Sequence, residues 1–140
     1  MSDKHLSSQF DADLNAVSSK VLEMGGLVES QIINAMQALN TFDMEIVEAV
    51  VLAEQRLNTM EVEIDEECSN IIARRQPAAR DLRLLMAISK TITNLERAGD
   101  EAEKIAKRVR RINEDGMGRN VNIAEISCPA KWRSPSCAVR

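Results

Sequence analysis

The chain has 140 residues, a mass of 15.6 kDa and a hydrophobic fraction of 44%, enough for one cored domain and too little for two ordinary ones. With no Tyr, two Phe and one Trp it is a poor candidate for a sandwich or barrel, whose strands draw on aromatic residues, and no run approaches the roughly 18 apolar residues of a spanning helix. The net charge of −4 hides an asymmetry: residues 1–70 hold 3 Lys/Arg against 14 Asp/Glu, whereas residues 71–140 hold 15 against 8, so the halves can neutralise each other and a nucleic-acid surface is not implied.

Met1-Ser2-Asp3-Lys4-His5 begins no signal-peptide pattern, and the expectation is a soluble, cytoplasmic, mostly helical protein without direct membrane insertion. Three Cys without a paired framework point to reduced thiols, and a single His leaves a zinc site short of its usual ligands.

The first helix is read from Phe10, Leu14, Val17, Val21, Met24, Val28, Ile32, Ala35 and Leu39, which recur in steps of three or four. Gly25-Gly26 interrupts it at a cost of about 1 kcal/mol per Gly. Because the stripe keeps its phase, one continuous helix is expected, with a close neighbour at the glycines. Asn40-Thr41-Phe42-Asp43 makes a short turn with Asp43 as N-cap. The second helix carries Ile46, Val50, Ala53, Leu57, Met60, Ile64, Cys68 and Ile71, and Pro77 stops it. The third has the cleanest seam, Leu85, Ile88, Ile92, Leu95, Gly99, Ala102, Ala106 and Val109, and ends at Asn113-Glu114-Asp115-Gly116. Short loops between long helices predict an all-α, antiparallel up-down-up three-helix bundle over residues 5–113. Residues 117–140 hold two of the three Pro, two of the three Cys and the only Trp, Trp132, without helical periodicity after Ile126. They read as a divergent tail: a linker, a swapped arm or a slipped coding frame.

Residues 61–67, Glu-Val-Glu-Ile-Asp-Glu-Glu, place five acids in seven positions with no Lys or Arg three or four residues from any of them. Their counter-charge must come from another helix, another chain or a metal. Glu61 and Asp65 form a Glu-x-x-x-Asp pair, and Glu96 and Asp100 repeat it. Each residue directly follows a seam residue, so the pairs flank their stripes on the same side. Acidic solvated faces meeting the basic third helix are the plain alternative. Oxygen-only ligands favour hard cations, so the ions expected at Glu61, Asp65, Glu96 and Asp100 are Fe, Mn, Mg or Ca, with Zn and Cu less suited. The pairs should face outward and lie roughly 10 Å apart along the bundle at 1.5 Å per residue, too far for one compact cluster. Arg74, Arg75, Arg80 and Arg83 bracket Pro77, and Lys104, Lys107, Arg108, Arg110 and Arg111 crowd the end of the third helix, where cations complement its dipole. No phosphate loop, nucleophile–His pair or other catalytic constellation is present.

His5-Leu6-Ser7-Ser8-Gln9-Phe10, Met24-Gly25-Gly26-Leu27-Val28-Glu29, Met60-Glu61-x-x-Ile64-Asp65-Glu66-x-Cys68, Arg74-Arg75-Gln76-Pro77-Ala78-Ala79-x-Asp81-Leu82-Arg83 and Leu95-Glu96-Arg97-Ala98-Gly99-Asp100-x-Ala102 resemble the PhoU family of phosphate-signalling proteins. The resemblance runs over about residues 5–112, with Ala98 in place of a usual Ile. It implies two tandem three-helix repeats in a full-length member, of which this chain carries the first, and so a frameshifted or truncated second repeat. It further implies metal binding at Glu/Asp-x-x-x-Asp motifs in some members and a non-enzymatic role. That role is an accessory negative regulator of phosphate uptake, coupling the phosphate ABC transporter ATPase to a sensor histidine kinase. A carboxylate-rich metal-binding bundle or a plain oligomerisation module are the alternatives. A lone repeat is expected to form a homodimer through the face its missing partner would cover.

Overall fold

The computed structural model describes residues 2–116, of which residues 8–116 include side chains. The divergent tail, with Trp132, Cys128 and Cys137, lies outside the described residues. Three helices run α1 (Ser2–Thr41), α2 (Met44–Arg75) and α3 (Ala79–Glu114), packed pairwise as an antiparallel up-down-up bundle. Among the described residues there is no strand, and no helix is long and apolar enough to cross a membrane.

Local chemistry sets the two turns. Phe42 takes a left-handed φ of 54° while its N–H still bonds the carbonyl of Ala38 at 2.8 Å. Asp43 then caps α2, its Oδ1 accepting from the N–H of Glu45 at 2.9 Å. At the other end Gln76, with φ 43°, closes α2 through its N–H to the carbonyl of Ile72. Pro77 follows and cannot extend the helix. A non-glycine residue in this region costs on the order of 1–2 kcal/mol, and here it redirects the chain into α3 within three residues.

The core divides into two apolar clusters. The larger-residue cluster holds Met24, Leu57, Ile64, Leu85 and Ile92, among others. The second is thin and alanine-rich, with Ala35, Ala38, Ala102 and Ala106 packed around Val47, Val50 and Val109. Between them lies a polar layer contributed by all three helices: Gln31 of α1, Glu54 of α2 and Gly99 of α3. Gln31 is 1% exposed and Glu54 4% exposed. The Gln31 amide donates to Glu54 Oε2 at 2.8 Å and to the Val50 carbonyl at 3.3 Å.

This layer corrects the sequence-based seam in two places. Ile32 is 43% exposed, and Gln31 occupies the core position in its stead. Ala53 is half-buried while Glu54 is buried. In both cases an apolar residue stood next to a polar one, and the helical phase places the polar one inward. A third correction concerns Gly25 and Gly26. The helix runs through them unbroken, but a Cβ at either would meet nothing within 4 Å, so the expected close neighbour is not found among the described residues.

The close approach is at Gly99. A Cβ there would lie 2.2 Å from Leu57 Cδ2, 2.7 Å from Gln31 Oε1 and 2.8 Å from Glu54 Oε2. Gly99→Ala should therefore destabilise the bundle by about 1–3 kcal/mol through overpacking, although alanine is otherwise the better helix former by about 1 kcal/mol. Urea unfolding followed by circular dichroism measures this; an unchanged or raised midpoint would show that the layer can spread freely.

Candidate functional site

The α2–α3 edge carries the carboxylates singled out by spacing. Glu61 accepts a hydrogen bond from Thr93 Oγ1 at 3.0 Å, and Asp65 accepts from Ser89 Oγ at 2.8 Å. The two bonds are one helical turn apart on each helix and run in opposite chain directions, as antiparallel packing demands. They mark the register: residue 61 stands opposite 93, and 65 opposite 89. In that register the midpoints of the two Glu-x-x-x-Asp pairs are offset by about seven residues, or roughly 10 Å at 1.5 Å per residue, the separation the sequence implies.

The four side chains differ in surroundings. Asp65 is exposed, while Glu61, Glu96 and Asp100 are half-buried beside their seams. Asp100 is bridged by Lys104 Nζ at 2.7 Å. That ammonium also reaches Glu101 at 2.8 Å and is held protonated well above the ordinary lysine range, chiefly by its hydrogen bond to Asp100. The Glu96 carboxyl is pushed above the usual carboxylate range, first by desolvation and then by the negative charges of Glu61 and Asp100. Oxygen donors of this kind suit a hard cation in chemistry. In position they do not make a single closed site, since among the described residues no three His, Cys, Asp or Glu side chains gather where one ion could be held.

One acid of the run, Glu67, finds a counter-charge on another helix. Glu67 is bonded by Lys20 of α1, which lifts the Lys20 ammonium above its ordinary value. Further pairs tie Arg56 to Glu23 at 2.7 Å, Arg75 to Asp13 at 3.2 Å and Arg110 to Glu48 at 2.5 Å. Part of the basic end of α3 is occupied by acids of the same helix, with Lys107 on Glu103 and Lys104 on Asp100 and Glu101. The charge asymmetry of the two halves is thus only partly resolved between them. Arg75–Asp13 and Arg110–Glu48 cross from one half to the other, whereas Lys20–Glu67 and Arg56–Glu23 lie within the acidic half. Most of these pairs are solvated on at least one side and are worth about 0–1 kcal/mol each, while Arg75–Asp13 is half-buried.

Glu54 is the acid that spacing arguments missed. Burial is the first cause of its raised pKa; the Gln31 hydrogen bond opposes the shift, and the charges of Glu96, Glu103 and Asp100 add to it. The signal was available: Val50, Glu54 and Leu57 follow steps of four and three, and Gly99 on the partner seam marks a point of close contact. Cys68 is a free, buried thiol pushed up by burial and then by Asp65 and Glu67, as befits a packing residue rather than a nucleophile.

Comparison with known proteins places this geometry in a family. The PhoU domain model matches residues 21–109. A phosphate-specific transport system accessory protein PhoU homolog from Burkholderia sp is 64% identical over 116 residues, covering 83% of this chain and 49% of the relative. The Escherichia coli (strain K12) accessory protein PhoU is 49% identical over 104 residues, covering 74% and 43%. The crystal structure of PhoU from Pseudomonas aeruginosa superposes with a TM-score of 0.74 at 50% identity, over 76% of this chain and 51% of that one. The chain thus spans about half the length of the curated relatives it matches. With more than half of its residues matched by the domain model and the same three-helix bundle in the solved relative, the chain belongs to the PhoU family.

Proposed function

We propose that this chain is an accessory negative regulator of phosphate uptake and of the phosphate-starvation response. In this reading it works in the cytoplasm by binding rather than by catalysis, and couples the ATPase of the phosphate ABC transporter to the sensor histidine kinase. The observation that carries the reading is the high identity to proteins named as phosphate-specific transport system accessory proteins, sustained across the bundle. The fold supports it, since a helical bundle with ion-paired flanks offers long surfaces for protein contacts. Co-purification of the full chain with the transporter ATPase tests it: retention on the immobilised ATPase is expected, and passage through the column at micromolar concentrations would refute the coupling role.

In the same reading a second copy of the chain covers the outer face of α1. On α1, Leu22 is 77% exposed and Ile33 58%, and Met36 and Ile32 are also exposed. Leu22, Gly26, Ile33 and Met36 share one helical face by their spacing, and the open space above Gly25 and Gly26 would admit another helix closely. Exposed apolar faces of this kind usually mark interfaces. Sedimentation at micromolar concentration should give a dimer, and Ile33→Glu should convert it to a monomer with an unchanged helical spectrum. A wild-type chain that sediments as a clean monomer would rule out the pairing.

A second reading, cation binding along the α2–α3 edge, is favoured by the crowding of Glu96 between the charges of Glu61 and Asp100. Glu61 with Asp65 and Glu96 with Asp100 would each, as separate pairs, supply part of the coordination of an Fe, Mn, Mg or Zn ion, with the remaining ligands from solvent or another molecule. Calorimetric titration with Mn²⁺ is expected to show binding that Glu61→Ala/Asp65→Ala weakens at least tenfold; equal binding by that variant would remove these residues from the site.

A further inference from the structure

The polar layer contains an acceptor with no donor. Gln31 spends its amide hydrogens on Glu54 Oε2 and the Val50 carbonyl, and its Oε1 is buried without a hydrogen-bond partner among the described residues. An amide oxygen left unpaired in the interior is destabilising, because its hydration is lost without a replacement. Glu54, its neighbour across the α1–α2 contact, is itself buried, and Gly99 brings α3 against both of their oxygen atoms. The nearby charges leave Glu54 uncompensated. From Ser30 to Thr41, α1 has no charged residue. On α2 the flanking Glu48 and Arg56 are engaged with Arg110 and Glu23. The groups acting on it from α3 are the acids Glu96, Asp100 and Glu103, of which Asp100 and Glu103 are bridged by Lys104 and Lys107.

We propose that Glu54 binds a proton in the native bundle and donates it to Gln31 Oε1, so that the two side chains form a reciprocal acid–amide pair joining α1 to α2 over Gly99. The proton removes a buried charge that no cation among the described residues neutralises and supplies the donor that Gln31 lacks there. Ionisation reverses both gains at once, placing a carboxylate beside an unpaired amide oxygen in the middle of the bundle. The layer is therefore a proton-sensitive latch. The direction follows from linkage: a carboxyl whose proton is held more tightly in the folded state stabilises the fold fully below the ordinary Glu range. That stabilisation is lost as pH rises toward its folded value.

Two measurements on the full chain, both with EDTA present, test this. In carboxyl ¹³C NMR, the Glu54 resonance should remain protonated where exposed glutamates have already titrated, and the Gln31 side-chain amide signals should move with the same midpoint as Glu54. Titration of Glu54 together with the exposed glutamates would overturn the proposal. In urea unfolding from pH 5 to 8, Glu54→Gln keeps a donor toward Gln31 but cannot ionise. Its folding equilibrium constant relative to wild type should rise with pH by up to about tenfold per unit, the limit for one proton; a ratio independent of pH would overturn the proposal as well. Should Glu54→Gln fail to fold, the wild-type NMR titration decides alone.

Discussion

Three helices can lie this close at mid-bundle only because one of them has no side chain there. Gly99 leaves room for Leu57, Gln31 and Glu54 within distances at which a methyl group would collide with all three. The layer so formed separates a bulky apolar cluster from an alanine-rich one. It also specifies register. Apolar stripes with three- and four-residue steps can slide past one another by a heptad at modest cost, whereas a buried amide–carboxyl pair displaced by one turn leaves both partners unsatisfied in an apolar environment. Specificity of this kind is the best-attested use of a lone polar group in a helical seam.

The outer features inherit that register. With Gln31 beside Glu54 and Gly99 against both, Glu61 comes opposite Thr93 and Asp65 opposite Ser89, so hydroxyls of α3 serve the carboxylates of α2. Lys20 reaches Glu67 and Arg75 reaches Asp13 along the α1–α2 contact. None of these peripheral contacts could hold the helices alone, since ion pairs and hydroxyl bonds still open to solvent contribute little. They are consequences of the packing, and they leave α1 with an apolar outer face centred on Ile33.

Much of this was legible in the sequence. The α3 seam from Leu85 to Val109 follows the heptad pattern closely enough that all but Leu95 are buried. Asp43 and Pro77 mark the turns by chemistry that does not depend on tertiary context. The Glu61 and Glu96 pairs fell at the expected offset because both were counted from the same turn. Reading failed where an apolar residue adjoined a polar one at the seam. Hydrophobicity favours Ile32 over Gln31 and Ala53 over Glu54 between adjacent helical phases, and a buried acid is rare without a partner. The partner sat on another helix, beyond what a single-helix pattern can register. The glycines misled for a related reason: Gly25-Gly26 and Gly99 look alike in sequence, and only packing shows which one meets a neighbour.

The central claim is that Gln31 and Glu54 act as one unit in holding the bundle together. A double-mutant cycle with Gln31→Leu and Glu54→Leu, read by urea unfolding, tests it most directly. Each single change strands a buried polar partner, whereas the double change removes both groups at once. The account predicts two destabilised single mutants and a double mutant at least as stable as the weaker of them, so that the losses do not add. Strictly additive losses would show that the two side chains contribute independently and would contradict the account.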